Sequence, residues 1–316
     1  MEVAGRKKRV GLVLSGGGAR GFAHIGVISM LEHAAVDPEV IAGTSIGAIF
    51  GAFLANGCSA REIYELAYRT TWRDVFDLSL NAGLIKGEKL HAFLAEHLPA
   101  DFADLKKPLA VTTTDMETGE EVVIVDGDLI TALRASSCYP GAFEPVSYLG
   151  RSLADGGIVN NLPVAAGAFL NATYTVASDV TPARRAQVLG GDTHRWWERF
   201  MATVRLERRS PMVQMLLRSG DIMQSILTDI QYNLHPADLR VQVAMPHVRI
   251  ESFWAFDQIV RLGEEVAYRT LEEAGLLEAP FETLTLRKDE AEAEKKPPKG
   301  LGNAVRQRWK LGDRVD

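Results

Sequence analysis

The sequence predicts an α/β fold of three layers, α/β/α, in which helices cover both faces of a central, mostly parallel sheet. Short apolar runs separated by helical patterns extend from residue 10 to about residue 180. The first run, Val10–Leu14, is nearly continuous, as in a strand that is covered on both faces. Glycine-rich turns follow the first two runs, at the carboxyl edge where such sheets bind ligands.

The loop after the first strand, SGGGARG at 15–21, is the first candidate site. Small and apolar residues at helical spacing continue from Phe22 to about Ala35 and predict a helix. A loop between a strand and a helix presents backbone N–H groups to an anion. Two interpretations remain open here. Gly16, Gly18 and Gly21 satisfy the dinucleotide pattern GxGxxG, and the same N–H groups could form an oxyanion hole.

The second predicted strand, at 40–42, favours the oxyanion hole. A dinucleotide site needs an acidic residue near the end of this strand, which instead ends in Gly43-Thr44-Ser45. Residues 43–47 have the form GxSxG and residues 46–56 a helical pattern, so Ser45 falls on a sharp turn between strand and helix. Such a nucleophile elbow indicates acyl transfer. For the pentapeptide alone, a glycine-rich turn with a capping serine is the alternative.

The predicted elements that follow continue the alternation of helices and strands. They are a helix that starts at the capping residue Ser59, a helix at 88–98, strands at 108–113 and 121–125, a helix at 128–134, a hairpin at 146–149 and 151–153, a helix that starts near Pro163, and a strand at 174–178. The hairpin delivers Asp155, followed by Gly156 and Gly157, beyond a strand end. Its carboxylate can therefore approach other backbone closely, although an ordinary Asp-Gly turn has the same sequence.

Residues 184–235 differ in composition and predict a helical insertion. Aromatic and apolar residues from Trp196 to Val204 precede a helix start at Ser210-Pro211, after which apolar residues, many of them methionine, recur every three to four positions. Such a helix can line an acyl-chain groove or enter a membrane interface. Packing against the core is the interpretation we favour. A strand at 239–244 and a helix at about 253–275 close the domain.

The composition excludes several classes of protein. A net charge of -6 and a pI near 5.7 argue against a nucleic-acid-binding surface. Cys58 and Cys138 lie far apart without metal-ligand spacing and are expected to be buried thiols. Because no apolar run suits a signal peptide or a bilayer span, we expect a cytoplasmic protein, with or without contact to a membrane surface.

The chain divides into three predicted parts: a basic segment at 1–8, an α/β domain at 9–286, and a charged tail at 287–316 that is expected to be disordered. The tail carries nine Lys or Arg and six Asp or Glu. Together with the basic residues at 6–9 it would favour docking on anionic lipid. A solubilising role explains the same composition.

Three motifs, SGGGARG at 15–21, GTSIG at 43–47 and DGG at 155–157, resemble in order and spacing the patatin-like phospholipase family. The likeness is strongest to its bacterial branch and to the catalytic domains related to neuropathy target esterase. Further matches are Ala135-Ser136 with Pro140 and Phe143, and the sequence Asn160-Asn161-Leu162-Pro163. The resemblance covers about residues 8–275 and implies a patatin-like fold. Ser15 stands where many members carry Asp or Gly, which leaves the backbone donors unchanged.

The resemblance implies a lipid acyl hydrolase of the phospholipase A or lysophospholipase type, with a Ser-Asp dyad and neither metal nor cofactor. Ser45 would form the acyl-enzyme and Asp155 would be the general base. The N–H groups of Gly16, Gly17 and Gly18 would hold the oxyanion. Arg20 would fix the loop or meet a substrate phosphate. The motif glycines that would support these turns are Gly21, Gly43, Gly47, Gly156 and Gly157. Phospholipid, lysophospholipid or another fatty-acyl ester is the implied substrate.

Two alternatives remain open. An α/β-hydrolase triad would combine Ser45 and either Asp155 or Asp179 with a histidine, in the chain order Ser, Asp, His. The histidines that satisfy this order are His194, His235 and His247. The other alternative is a catalytically silent lipid-binding protein that keeps the fold and the motifs.

Overall fold

The computed structural model of the protein describes residues 2–3, 6–71, 75, 86–140, 143–181, 211–245, 248 and 253–277. Residues 184–210 of the predicted insertion and the predicted tail at 287–316 lie outside these ranges. The division of the chain into three parts therefore stays a prediction.

The helices and strands alternate as the sequence predicts, with ends that agree to within a few residues. The strands are β1 (Glu2–Val3), β2 (Arg6–Lys7), β3 (Val10–Leu14), β4 (Val40–Thr44), β5 (Leu109–Asp115), β6 (Glu121–Ile124), β7 (Val146–Tyr148), β8 (Arg151–Asp155), β9 (Tyr174–Asp179) and β10 (Leu239–Gln242). The α-helices are α1 (Ala23–His33), α2 (Ile46–Ala55), α3 (Ala60–Arg69), α4 (Glu88–His97), α5 (Leu129–Ser136), α6 (Val164–Phe169), α7 (Pro211–Leu234) and α8 (Phe256–Glu273). Ser59 caps α3 in a capping box with Glu62, as its position before an apolar helix predicts.

Eight strands form one mixed sheet in the order β10-β9-β3-β4-β5-β8-β7, and β6 also pairs with β5. The strands from β10 to β5 are parallel to one another, whereas β6, β7 and β8 pair antiparallel with their neighbours. The predicted mostly parallel sheet is thus confirmed, with an antiparallel extension at one side.

Two strands share one edge of β5. Residues 109–112 of β5 pair with β4, and residues 113–115 pair with β8. Because β6 pairs with residues 111–114, it occupies the opposite edge. Strand β8 runs antiparallel to β5, so its last residue arrives directly beyond the last residue of β4. The sheet thereby brings together the ends of two strands that are distant in sequence.

The sheet has a helical layer on each face. Side chains such as Leu12, Leu14 and Ile41 point into a large core with α1, α2 and α8, while Val13 and Ala42 point into a smaller one under α6. Helices α1 and α8 cross closely at Gly26 and Gly263, where a Cβ on either glycine would meet the backbone of the other helix. The predicted three-layer fold is confirmed.

Helix α7 differs from the expectation that its apolar residues pack in the core. Among its described side chains, the buried ones are the polar residues Ser225 and Thr228. Met215 and Met223 are 69% and 61% exposed, and Ile222 and Ile230 are exposed too. The core-packing interpretation is therefore wrong for these four residues, because the period that marks an amphipathic helix does not tell which face meets the sheet. Across the described ranges, no helix combines the length and apolarity needed to cross a bilayer.

Candidate active site

Ser45 occupies the turn between β4 and α2. Its backbone has a φ of 54° and a ψ of -125°, a conformation that residues with a side chain rarely adopt. Strand β4 ends at the preceding residue and α2 begins at the following one. The predicted strand-turn-helix geometry is confirmed, and Ser45 is partly exposed at the carboxyl edge of the sheet.

The two glycines of the pentapeptide allow this turn to pack tightly. A Cβ at Gly43 would lie 2.6 Å from the backbone nitrogen of Ala48. A Cβ at Gly47 would collide with the carbonyl oxygens of Leu14 and Ser15, at the end of β3. Backbone atoms cannot move aside as flexible side chains do. Glycine is therefore required at both positions for the elbow to reach α2 and β3.

Asp155 ends β8, and the Ser45 side chain lies close enough to its carboxylate to lower the pKa of that group. The residue is buried, and its Oδ1 accepts the Gly157 N–H at 2.8 Å. Burial raises the pKa of Asp155 to about 6, although the Gly157 N–H and the Ser45 side chain both lower it. A Cβ at Gly156 would collide with the Thr112 carbonyl oxygen, so this glycine lets the turn approach β5. The carboxylate is suited to accept a proton near neutral pH.

The glycine loop at 15–21 reaches the elbow from the β3 side. A Cβ at Gly16 would lie 3.4 Å from the Ser45 Cβ. The Gly16 N–H, one of the three expected oxyanion donors, is already bonded to the Asn161 carbonyl at 3.1 Å. Of the three expected donors, the loop thus leaves those of Gly17 and Gly18 without a protein acceptor in the described part of the chain.

Ser15 and His24 hold the base of this loop. The Ser15 hydroxyl accepts the Val180 N–H at 2.9 Å, and the Ser15 N–H donates to the Ser178 carbonyl. The two ring nitrogens of His24 lie 2.7 Å from Ser178 Oγ and 2.9 Å from the Ser15 carbonyl oxygen. Burial lowers the pKa of His24 to about 4, so the ring is neutral at physiological pH. This histidine is a structural part of the loop.

Arg20 is buried in the short 3-10 turn that follows the glycines. Its backbone N–H donates to the Gly17 carbonyl at 3.2 Å, which closes the loop. Gly21 packs directly against the side chain of Ile46, the residue after Ser45. Contact between Arg20 and a substrate phosphate stays a prediction.

Three polar side chains connect these parts in ways that the sequence does not reveal. The Ser136 hydroxyl accepts the Ser45 N–H at 2.8 Å. The Asn161 amide donates to Gly16 O at 3.3 Å. Gln224 of α7 donates to Gly157 O at 3.0 Å and to Asn161 Oδ1 at 3.2 Å. Ser136 and Asn161 belong to the matched motifs, whereas the only sequence signal for Gln224 is a polar residue on a methionine-rich helix.

The histidine triad finds no support among the described residues. His235 is exposed at the end of α7, and no described histidine bonds to Ser45 or Asp155. His194 and His247 lie outside the described ranges. The alternative carboxylate, Asp179, is buried and pairs with Arg240.

Metal-ligand groups and reactive thiols are further kinds of group that can form a site. In the described part of the chain, no group of three or more His, Cys, Asp or Glu side chains is arranged to hold a metal ion. Cys58 and Cys138 are free and buried, as predicted, and burial raises the pKa of both thiols. Neither thiol is therefore activated as a nucleophile.

The family to which the chain belongs follows from its similarity to known proteins. Residues 12–168, which carry the glycine loop, the elbow and Asp155, match the model of the patatin-like phospholipases. The chain belongs to the patatin-like phospholipase family. Its mixed sheet with helices on both faces is the patatin fold.

Relatives of this patatin-like protein include proteins named NTE and a patatin-like phospholipase domain-containing protein. An uncharacterised NTE family protein of Mycobacterium bovis is 39% identical over 189 residues, which are 57% of this chain and 52% of the relative. Lysophospholipase NTE1 of Scheffersomyces stipitis is 32% identical over 58% of this chain and 12% of its own length. Mouse patatin-like phospholipase domain-containing protein 6 is 32% identical over 60% of this chain and 15% of its own length. The match therefore spans about half of the mycobacterial relative and a small part of the two larger proteins.

A solved structure supports the fold. VipD from Legionella pneumophila superposes with a TM-score of 0.54 at 14% identity, over 84% of this chain and 67% of that one. At this identity the likeness concerns the patatin-like fold alone.

Proposed function

We propose that the protein is a lipid acyl hydrolase of the phospholipase A or lysophospholipase type that uses Ser45 and Asp155 as a catalytic dyad. The approach of these two side chains at the elbow carries the proposal: their strands end side by side on β5, and the Ser45 side chain lowers the pKa of Asp155. Lysophospholipase NTE1 and patatin-like phospholipase domain-containing protein 6 are relatives whose names support an acyl ester of a lipid as the substrate class.

In the first half of the proposed reaction, Ser45 Oγ attacks the acyl carbonyl carbon while Asp155 takes the hydroxyl proton. The carbonyl oxygen becomes an oxyanion, which the N–H groups of Gly17 and Gly18 hold. Collapse of this tetrahedral intermediate breaks the ester bond. The alcohol leaves with the proton from Asp155, and the acyl group stays on Ser45.

In the second half, Asp155 takes a proton from water, whose oxygen attacks the acyl-enzyme. The second tetrahedral intermediate expels Ser45 Oγ, which regains the proton, and the fatty acid is released. The raised pKa of Asp155 supports this cycle because a base near neutrality both accepts and returns the proton. No group other than the dyad has to change its charge.

The proposal is tested by fatty-acid release from a panel of phospholipids, lysophospholipids and neutral glycerides, with fluorophosphonate labelling in parallel. The proteins are the wild type, Ser45→Ala, Asp155→Asn and the control Asp126→Asn, which changes an exposed carboxylate. We expect turnover to vanish in the first two variants, the label on the elbow to vanish in Ser45→Ala, and the control to match the wild type. Circular dichroism confirms that each variant is folded.

Other outcomes identify the alternatives. Near-wild-type turnover of Asp155→Asn would favour a histidine triad. A folded wild type that hydrolyses no lipid and takes no label would favour a lipid-binding protein of the same fold.

We also propose that the protein contacts the lipid surface with its catalytic end. Met116 follows the carboxyl end of β5, and Leu149 forms the turn between β7 and β8; both are exposed. Exposed Trp254 lies beside Phe253, whose ring is 5.8 Å from Phe22 at the end of the glycine loop. Exposed apolar groups around a site for lipid acyl esters favour a membrane-surface partner.

Vesicle sedimentation tests this contact. Met116→Gln with Leu149→Gln removes two of these exposed apolar side chains at the catalytic end. The control pair, Phe169→Gln with Leu234→Gln, removes similarly exposed groups at the opposite end of the sheet. We expect the first pair to weaken binding to phosphatidylcholine vesicles severalfold and the control pair to leave it unchanged. Equal effects, or a wild type that does not sediment with vesicles, would refute the contact.

A further inference from the structure

The hydrogen-bond ladder between β4 and β5 changes at the nucleophile. The two strands are parallel, with Ile41 opposite Leu109 and Thr44 opposite Thr112. The Ile41 N–H donates to the Pro108 carbonyl at 3.0 Å. In a parallel ladder every second residue repeats this bond. Continued over two repeats, the register would bring the Ser45 N–H to the Thr112 carbonyl.

The Ser136 hydroxyl stands in the place of that bond. Its Oγ accepts the Ser45 N–H at 2.8 Å and donates its own proton to the Thr112 carbonyl at 2.7 Å. Ser136 is the last residue of α5 and its side chain is fully buried. One hydroxyl thus satisfies both backbone groups that the ladder leaves unpaired.

This inserted hydroxyl fixes the starting point of the elbow. A direct hydrogen bond to the Thr112 carbonyl would hold the Ser45 N–H as close to β5 as in the rest of the parallel ladder. Because the Ser136 oxygen lies between the two groups, the Ser45 N–H is held further from β5. The chain can then turn sharply at Ser45, where φ is 54°. The next residue of β5, Thr113, pairs with Asp155. Ser136 therefore sets the nucleophile backbone relative to the strand that also places the carboxylate.

We infer that Ser136 is a positioning residue for the nucleophile, which acts through the Ser45 backbone and does not touch the substrate. The inference rests on the proposed function, in which Ser45 attacks the acyl carbonyl. A misplacement of the attacking atom by about 1 Å can cost about a hundredfold in rate. The expected defect is therefore in the rate of acylation and leaves substrate binding intact.

A purely structural role predicts a different pattern. Ser136 could simply fill space at the end of α5, in which case variants would lose stability but keep the reactivity of the protein that remains folded. The neighbouring Ser137 provides a matched control, because its hydroxyl bonds to the Leu133 carbonyl within the helix at 2.9 Å.

The experiment compares the wild type with Ser136→Ala, Ser136→Thr, Ser136→Val and Ser137→Ala. Thr and Val have the same shape and differ in the hydroxyl, so their comparison separates the hydrogen bonds from the packing. Three measurements are made: steady-state kinetics (kcat and KM) with a soluble short-chain nitrophenyl ester, the rate of fluorophosphonate labelling, and hydrogen exchange of the Ser45 amide. Thermal unfolding confirms that each variant is folded at the assay temperature.

We expect Ser136→Ala and Ser136→Val to lower kcat and the labelling rate by about 10- to 100-fold with less than a twofold change in KM. Their Ser45 amide should exchange faster. Ser136→Thr should regain most of the rate even if the added methyl group lowers its melting temperature. Ser137→Ala should remain within twofold of the wild type.

Equal rates for the Thr and Val variants, or a folded Ser136→Ala with unchanged kcat, would overturn the inference. If the wild type neither turns over the ester nor takes the label, the proposed function fails. Amide exchange then still decides the point. An unchanged Ser45 amide in Ser136→Ala refutes the inserted hydroxyl, whereas faster exchange in Ser136→Ala and Ser136→Val but not in Ser137→Ala supports it.

Discussion

Ser45 and Asp155 meet because the strands that carry them end against each other on one edge of β5. Strand β4 leaves this edge at Thr44, opposite Thr112, and β8 arrives at Asp155, opposite Thr113. The parallel and antiparallel parts of the sheet thus join where the Ser45 side chain comes close enough to Asp155 to lower its pKa. The sheet places both strand ends, so the two side chains are brought together without a closing movement.

The raised pKa of Asp155 predicts the acid limb of the pH profile. A general base must be unprotonated in the free enzyme, so we expect kcat/KM to fall tenfold per pH unit below an apparent pKa of about 6. The measurement is the pH dependence of kcat/KM for a soluble short-chain ester. Glu264 is the control, because burial raises its pKa to about 7 and it lies near α1, bonded to Ser29. Glu264→Gln should leave the acid limb in place. If the acid limb moves in this variant, it reports the protonation of Glu264 and not that of Asp155.

The same raised pKa predicts that Asp155→Asn stabilises the protein at neutral pH. A folded-state pKa above the ordinary value of 3.8 means that the folded protein holds the proton more firmly than the unfolded chain. The stability contribution is present below pH 3.8 and is lost as pH rises through about 6. A shift of this size corresponds to about 3 kcal/mol. The Asn amide can still accept from Gly157 and donate to Ser45.

Urea unfolding at pH 8 and pH 4 measures this effect as the difference between variant and wild type. We expect the variant to be more stable at pH 8, by an amount that shrinks at pH 4. A difference that does not depend on pH would mean that Asp155 is not destabilised by its charge. Asp126→Asn, at an exposed carboxylate, should give no difference at either pH.

The sequence could predict the parts of the site that depend on local backbone geometry. Gly43 and Gly47 are required where backbones approach within a side chain's width, and such requirements leave glycines in the sequence. The continuous apolar strands likewise predict a sheet that is covered on both faces. Both features depend on residues that are neighbours in the sequence. The order and spacing of these residues therefore indicate the fold class and the elbow.

Other parts of the site depend on pairings between distant residues. The hydrogen bond from the Gly16 N–H to the Asn161 carbonyl joins positions 145 residues apart. The hydrogen bond from the Gln224 amide to the Gly157 carbonyl joins positions 67 residues apart. No local pattern encodes such contacts. The orientation of α7 shows the same limit, since its methionine stripe marks an amphipathic face without telling whether that face meets the core or solvent.

Position 47 should tolerate no side chain, whereas position 51 on the same helix should tolerate a methyl group. A Cβ at Gly47 collides with backbone oxygens of β3, so Gly47→Ala must displace the elbow or the strand, at a cost of about 3 kcal/mol. At Gly51 the nearest atom is 3.0 Å away, in the side chain of Ile41, and the gain in helix propensity offsets the crowding. Thermal unfolding and fluorophosphonate labelling should show a large loss for Gly47→Ala and little change for Gly51→Ala. Similar melting temperatures for the two variants would contradict the close approach.

Gln224 should couple helix α7 to the reactivity of the dyad. Its amide bonds to Gly157, whose N–H holds the Asp155 carboxylate, and to Asn161, which holds the glycine loop. Gln224→Met keeps the length of the side chain but leaves the buried Asn161 Oδ1 without this donor, so both loops can shift. We expect kcat/KM for a soluble ester to fall about tenfold, the equivalent of about 1.4 kcal/mol. Gln231→Met makes the same chemical change two turns further along α7 and should retain full activity. If both variants keep wild-type kcat/KM, α7 packs beside the site without supporting it.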